Sequence, residues 1–375
     1  MINGERIRQA RELRGFTQQG LAEQVGVNQS AIAQLEAGRT QPSPIVLQSI
    51  SFATGFPASF FQQGNGPDFP LGSLLFRAHA NISAQKKNQA WRYGELLNEV
   101  AEIMSARVEP RSLRLSRLSE DPTSAARTTR SDLGLSPDRP IPNLTMALEK
   151  AGVSIFCLPI DLDERDAYSG WSGHDLNKPL IVLSSGRPGD RLRFSLAHEL
   201  GHLVMHWSQR GEPKDLEEQA NWFAGEFLLP EAAMRSDLLP PVTLMSLAKL
   251  KPKWGVSIQA LVRRAKDLQI ISPRRYHYLY QQLGAHGWRV REPENLDIPL
   301  EQPRAFRKTA EVLYGYPIDT RKMAEDLSLT TSFVNELLGV HADRPSPAIH
   351  ANKDKKVVSI VNRLRPNNIR NRNLA

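Results

Sequence analysis

Apolar residues recur at helical spacing through residues 1–62: Ile7, Ala10 and Leu13, then Leu21, Ala22 and Val25, then Ala31, Ile32 and Leu35. Steps of three and four place each set on one stripe of a helix, so three short helices can share a core. Thr17 stands where its hydroxyl can cap the second helix, and Gly26 and Gly38 fall where the second and third end. Pro42 and Pro44 open a fourth helix through Ile45, Leu47 and Ile50. The pattern predicts an all-α unit whose second and third helices form a helix–turn–helix with its tight turn at Gly26.

Beyond it the rhythm changes several times. The string QQGNGPDFPLGS from Gln62 reads as loop, followed by Phe76-Arg77-Ala78, and a long helix is expected from about 84 to 106. Residues 107–142 carry Pro110, Pro122, Pro137, Pro140 and Pro142 around a helical stretch near 125–133, so 63–140 is expected as a helical linker region. Two strands follow, at 153–158 and 180–183, separated by a turn at Asp166-Ala167-Tyr168-Ser169-Gly170. From 190 to 229 the pattern is helical with a break at Gly211–Pro213, and more helices run to about 283 before a short segment, Trp288-Arg289-Val290. Residues 141–289 are therefore read as a second domain, with two strands followed by helices. The remainder, 290–375, is expected as a helical C-terminal region with a polar, basic tail. One internal repeat is visible: Met323, Ala324, Leu327, Phe333, Val334 and Leu337 match Leu21, Ala22, Val25, Ala31, Ile32 and Leu35. We read the second copy as a packing module.

Composition adds limits. The 375 residues suffice for two or three domains, and no apolar run approaches the roughly 20 residues of a membrane span. The first residues, MINGERIRQARELRG, are charged and do not read as a signal peptide. A single cysteine, Cys157, excludes an internal disulfide and fits a reducing cytoplasm; any metal site must then rest mainly on histidines and carboxylates. The net charge of +8 is uneven: 351–375 hold seven Lys or Arg against one Asp, whereas 1–62 hold five Arg against four acids. The tail can attract nucleic acid or simply be solvated.

The string that carries chemistry is Arg193-Phe194-Ser195-Leu196-Ala197-His198-Glu199-Leu200-Gly201-His202. His198 and His202 lie four apart, on one helical face and about 6 Å along the axis, so both imidazoles can reach one Zn²⁺. Glu199 is adjacent and suits a general base. A third ligand is needed, and Glu217, on the next helix, is four residues from Asn221, which can hydrogen-bond a ligand histidine. Glu218 lies about 100° round that helix; spacing alone leaves it open. His206, about 12 Å along the axis from His198, is too far to share its ion and reads as a helix-surface residue, with a substrate or supporting role as the alternative. Trp207 and Trp222 read as core or pocket wall. Such a short motif also arises by chance, and the acidic helix that follows weighs against chance.

In the N-terminal unit, Asn28, Gln29, Ser30 and Gln34 give the third helix an amide- and hydroxyl-rich face suited to base edges, with Gln18 and Arg39 placed for phosphates. The low local charge weighs against tight binding to double-stranded DNA, an objection that a homodimer with two heads would soften. A helical bundle used for protein contacts is the alternative.

At these residues the chain resembles two families in series. Arg14-Gly15-Phe16-Thr17-Gln18, Leu21-Ala22, Val25-Gly26-Val27 and Leu35-Glu36-Ala37-Gly38 resemble XRE-type, phage-repressor-like helix–turn–helix domains. The His198 string, Glu217 with Ala220-Asn221, Phe223-Ala224, Leu228-Leu229-Pro230 and the stretch from Trp254 to Leu261 resemble the ImmA/IrrE metallopeptidases. The resemblance implies a zincin-like α+β core, a gluzincin-type His, His, Glu zinc site, and a regulator that cleaves a repressor or antitoxin partner under stress. A regulator whose zincin-like domain is a non-proteolytic sensor or scaffold is the alternative. Residues 63–140 match neither family's motifs.

Overall fold

Asn3 starts the chain's first helix by accepting the amide of Glu5, and the computed structural model carries this logic through the head. It describes residues 1–67, 69, 83–109, 112–161, 166–173, 175–207 and 213–341. Four helices form the head: α1 (Gly4–Leu13), α2 (Gln18–Val25), α3 (Gln29–Glu36) and α4 (Pro44–Thr54). Thr17, Asn28 and Ser43 each cap a helix through the side chain, and Gly26 ends α2 in the left-handed region at φ 77°. Ile7, Ala10, Leu13, Leu21, Ala22, Ile32 and Leu35 are buried together, as the spacing predicts.

The 63–140 stretch supplies two packed helices, α5 (Ala84–Ser105) and α6 (Pro122–Asp132); Phe76-Arg77-Ala78 lies outside the described residues. Then come α7 (Leu144–Lys150) and strands β1 (Ser154–Cys157), β2 (Ala167–Ser172) and β3 (Lys178–Leu183). The sheet order is β1-β3-β2, with β1 parallel and β2 antiparallel to β3. The expected turn at 166–170 is therefore corrected: most of it is edge strand. Its Ser and Gly residues suggest a turn, yet all six strand positions are buried, because both sheet faces are covered.

Alternation along the strands divides the molecule. Ile155, Ala167, Trp171, Ile181 and Leu183 face one apolar cluster, while Phe156, Tyr168, Leu180 and Val182 face another. The first cluster is built on α8 (Gly189–Met205) and α9 (Pro213–Leu228), with α10 (Glu231–Asp237), α11 (Leu244–Trp254), α12 (Ile258–Asp267) and α13 (Pro273–Ala285) around them. Helix α6 belongs here too: Ala125 and Ala126 are fully buried, and Arg130 reaches the Phe227 carbonyl.

The second cluster joins the other sheet face to α5, the head, and the C-terminal helices α14 (Ala305–Tyr314), α15 (Thr320–Leu327) and α16 (Thr331–Val340). Tyr168 sends its hydroxyl to the Ala90 carbonyl on α5 (2.9 Å). The repeated pair α15–α16 packs on the head, with the Phe333 ring 5.0 Å from that of Phe56 and the Thr330 hydroxyl donating to the Gly55 carbonyl at 3.0 Å. The basic tail at 351–375 lies outside the described residues.

Candidate metal centre

Helices α8 and α9 approach closely because residue 201 has no side chain: a Cβ there would stand 3.0 Å from the Phe223 ring. That approach places His198 and His202 opposite Glu217. His198 Nε2 and His202 Nε2 are 3.1 Å apart; Glu217 Oε2 lies 3.1 Å from the first and Glu217 Oε1 3.3 Å from the second. Among the described residues this is the group of three metal-type donors that converges, all within 4.8 Å. Glu218 is exposed and outside it.

The donors fit a metal ion. Four-coordinate zinc with bonds near 2.1 Å holds its ligands about 3.4 Å apart, close to the separations above. Glu217 Oε1 is buried and lacks a hydrogen-bond partner of good geometry, an orphan that a cation at the centre would satisfy. Burial alone would raise the Glu217 carboxyl, but the bond from His198 and the neighbouring His202 imidazole outweigh it and hold it well below the usual carboxylate range. Burial would likewise lower His198, yet the bond to Glu217 and the charges of Glu199 and Glu217 keep it above its ordinary value. The cluster thus favours positive charge at its centre, carried by a proton or by a metal that displaces it.

Each of the two histidines is also held at its second ring nitrogen. His198 Nδ1 lies 3.1 Å from Asn221 Oδ1, the contact the spacing suggests. His202 Nδ1 lies 2.8 Å from His206 Nδ1, and His206 Nε2 lies 3.1 Å from Gln219 Oε1. The helix-surface reading of His206 is therefore corrected. It follows the last residue of α8, where the backbone leaves helical geometry (φ −111°, ψ 21°), and its ring is buried. Trp207 is also corrected: it is 43% exposed, with Arg117 over its ring, whereas Trp222 lines a pocket beside the site.

Glu199 is buried, and Ser169 Oγ lies 2.6 Å from its Oε2. Sequence reasoning missed Ser169 because it comes from β2, the strand read as a turn. Trp171 Nε1, two residues on, donates to the Leu203 carbonyl (3.1 Å), fixing the strand against α8.

In the head, Gln29, Ser30, Gln34 and Arg39 are exposed. Asn28 is exposed too, but its Oδ1 accepts the Ala31 amide as the α3 cap. Gln18 Nε2 donates to Glu36 Oε2 (2.9 Å), and Gln29 Nε2 donates to Gln18 Oε1 (3.3 Å), so these amides are pre-set against one another.

Comparison with known proteins agrees with both halves. Residues 7–61 match the helix-turn-helix family model, and residues 148–266 match the IrrE N-terminal-like domain of the M78 peptidases. YazB of Bacillus subtilis (strain 168), an uncharacterized HTH-type transcriptional regulator, is 40% identical over 47 residues, 12% of this chain and 68% of that protein. YonR of the same organism, an SPbeta prophage-derived uncharacterized HTH-type transcriptional regulator, is 28% identical over 72 residues, 19% of this chain and 67% of that protein. A crystal structure of Bacillus thuringiensis PlcR in complex with the peptide PapR7 and DNA aligns over 90% of this chain and 95% of that one. Its identity is 13% and its TM-score 0.15, too low to carry an argument. No helix among the described residues is long and apolar enough to cross a membrane. The chain belongs to the XRE-type helix-turn-helix transcriptional regulators and carries, fused behind that DNA-binding head, an IrrE N-terminal-like domain of the M78 peptidase family.

Proposed function

We propose that this regulator is also a zinc endopeptidase of the zincin-like, gluzincin type, acting in the cytoplasm on a repressor- or antitoxin-like protein. The observation that carries the reading is the convergence of His198, His202 and Glu217 at separations suited to one tetrahedral ion. Bound zinc supplies the Lewis acid that polarises a peptide carbonyl and makes water nucleophilic near neutral pH. Glu199 takes the proton from the attacking water. Ser169 donates to its Oε2, which leaves Oε1 to receive the proton and pass it to the leaving amine. Asn221 keeps His198 turned toward the ion.

In the same reading 1–62 is the DNA-binding domain, 63–140 a helical connection, 141–289 the peptidase and 290–375 a C-terminal region. Gln29, Ser30 and Gln34 face base edges of an operator, the exposed Asn28 caps their helix and joins that face, and Gln18 and Arg39 meet phosphates. A homodimer places two such heads on one duplex.

The Glu199→Gln variant tests the enzymatic half. We expect it to keep its zinc and to lose at least about a hundredfold in cleavage of the partner protein, since it retains the ligands and removes the base. Full cleavage by that variant would overturn the assignment of the base. A wild-type protein that binds zinc yet cleaves nothing would favour the sensor or scaffold role instead.

A further inference from the structure

Strand β2 lies at an edge of the sheet, paired with β3 on one side, and its alternate residues meet two different helices. Tyr168 and Ser172 face α5. The Tyr168 hydroxyl donates to the Ala90 carbonyl at 2.9 Å, and Ser172 Oγ lies 3.3 Å from Asn98 Oδ1. Ser169 and Trp171 face α8. Ser169 Oγ lies 2.6 Å from Glu199 Oε2, and Trp171 Nε1 donates to the Leu203 carbonyl at 3.1 Å. On α5 the partners belong to one stripe, Ala90, Gly94 and Asn98, at four-residue steps. From Ala90 to Asn98 that helix advances about 12 Å, and from Tyr168 to Ser172 the strand advances about 13 Å, so the two run in step.

The α5 contact is built to fit. A Cβ at Gly94 would stand 2.5 Å from the Tyr168 hydroxyl and 3.0 Å from the Phe69 ring. Glycine is less favourable than alanine inside a helix, yet here its bare face is what admits the phenol. Tyr168 is buried, so its hydroxyl depends on the Ala90 carbonyl for a partner. The next residue is Ser169, which bonds the carboxylate of Glu199. Height of the strand between the helices therefore sets how Ser169 meets that carboxylate. Helix α5 is tied in turn to the head, through Arg6 with Glu99 and Arg92 with Glu12.

We propose that Tyr168 is a positioning residue for Glu199: braced on α5, it fixes the height of β2 and, through Ser169, the direction in which the base presents its free oxygen. The helix that joins the DNA-binding head is by this route part of the support of the peptidase site. The inference rests on the peptidase reading, which gives Glu199 its role.

Acetohydroxamate tests it on the zinc-loaded full chain. A hydroxamate on zinc gives its hydroxyl proton to the neighbouring base, so its affinity reads where Glu199 points. Zinc affinity, measured by competition with a chelator, reads the ligands instead. We expect Tyr168→Phe to leave zinc affinity unchanged and to weaken acetohydroxamate about fivefold, the worth of one hydrogen bond. Ser172→Ala, at the strand's other tie to α5, weakens it in the same direction. In the Glu199→Gln background Tyr168→Phe has no further effect, because it acts through that carboxylate. Unchanged acetohydroxamate affinity in both single variants, an equal loss in the Glu199→Gln background, or a parallel loss of zinc would overturn the role of Tyr168 and leave the peptidase reading standing. A wild-type chain that binds no acetohydroxamate, or binds it equally well as Glu199→Gln, would overturn the peptidase reading and this inference with it.

Discussion

A metal-binding imidazole presents one nitrogen to the ion and needs a partner for the other, or its ring turns and its tautomer drifts. His202 finds that partner in His206, which is backed in turn by Gln219. The proton positions follow. His202 Nδ1–H donates to His206 Nδ1, and His206 Nε2–H donates to the Gln219 amide oxygen, leaving His202 Nε2 with a lone pair for the metal. We expect His206→Ala to weaken zinc affinity about 10–100-fold, measured by competition with a chelator, while the fold persists. Unchanged affinity would remove His206 from the site. The shared face of His198 and His202 was legible in the sequence, because i,i+4 spacing on a helix is a direct statement about geometry. Glu217 and Glu218 were not separable by spacing; the choice depends on how α9 is rotated, which Gly201 and Phe223 set from the facing helix. His206 was misplaced because the helical ruler was extended one residue past the end of α8.

At the scale of elements, the head is tied to the rest of the chain through α1 and α5. Arg92 on α5 bonds Glu12 (2.7 Å) and Glu5 on α1 and Glu95 (2.9 Å) on its own helix, and Arg6 on α1 bonds Glu99 at 2.5 Å. Burial would raise the Glu12 carboxyl, but the hydrogen bond and charge of Arg92, with Arg11 and Arg8, hold it below its ordinary value. Arg11 continues the chain of contacts to Glu36 on α3, and Glu36 accepts from Gln18. Removing one partner of such a network strands buried charge. Arg92→Met is expected to cost roughly 3 kcal/mol in chemical denaturation, with Arg92→Lys recovering only part, since an ammonium cannot reproduce the guanidinium fork. An unchanged midpoint for Arg92→Met would show the network to be idle. The helix α5 was legible from periodicity, but its charged partners on α1 were not, since they lie 80 to 93 residues away in the chain. Strand β2 failed for a similar reason: its small residues look like a turn until two packed faces make them core.

Across the whole molecule the sheet separates two apolar clusters, and the C-terminal helices close the one that contains the head. The last described residue of that closure, His341, has both ring nitrogens satisfied in its neutral form. Nδ1 donates to the Leu337 carbonyl at 2.7 Å, and Nε2 accepts the Cys157 amide of β1 at 3.1 Å. Burial pushes this imidazole down to about 4, with a smaller lowering from Arg307. Its unfolded value is near 6.5, so between pH 6.5 and 4 the unfolded chain takes up a proton that the folded chain refuses. Stability from this group is complete above pH 6.5 and is lost as pH falls toward 4, by up to about 3 kcal/mol. Denaturation midpoints at pH 7.5 and pH 5 should show this slope in the wild type and less of it in His341→Gln; equal slopes would contradict it. That long-range contact could not be read from the sequence, although the helical character of 305–340 and its packing role could. The fold's central consequence is that α8 and α9 bring three donors to one point, and the metal content of the purified full chain tests this most directly. The account predicts one zinc per chain in the wild type and in Glu218→Ala, and loss of that zinc in Glu217→Ala. A wild-type chain that takes up no zinc, or a Glu217→Ala chain that retains it while Glu218→Ala does not, would contradict the account.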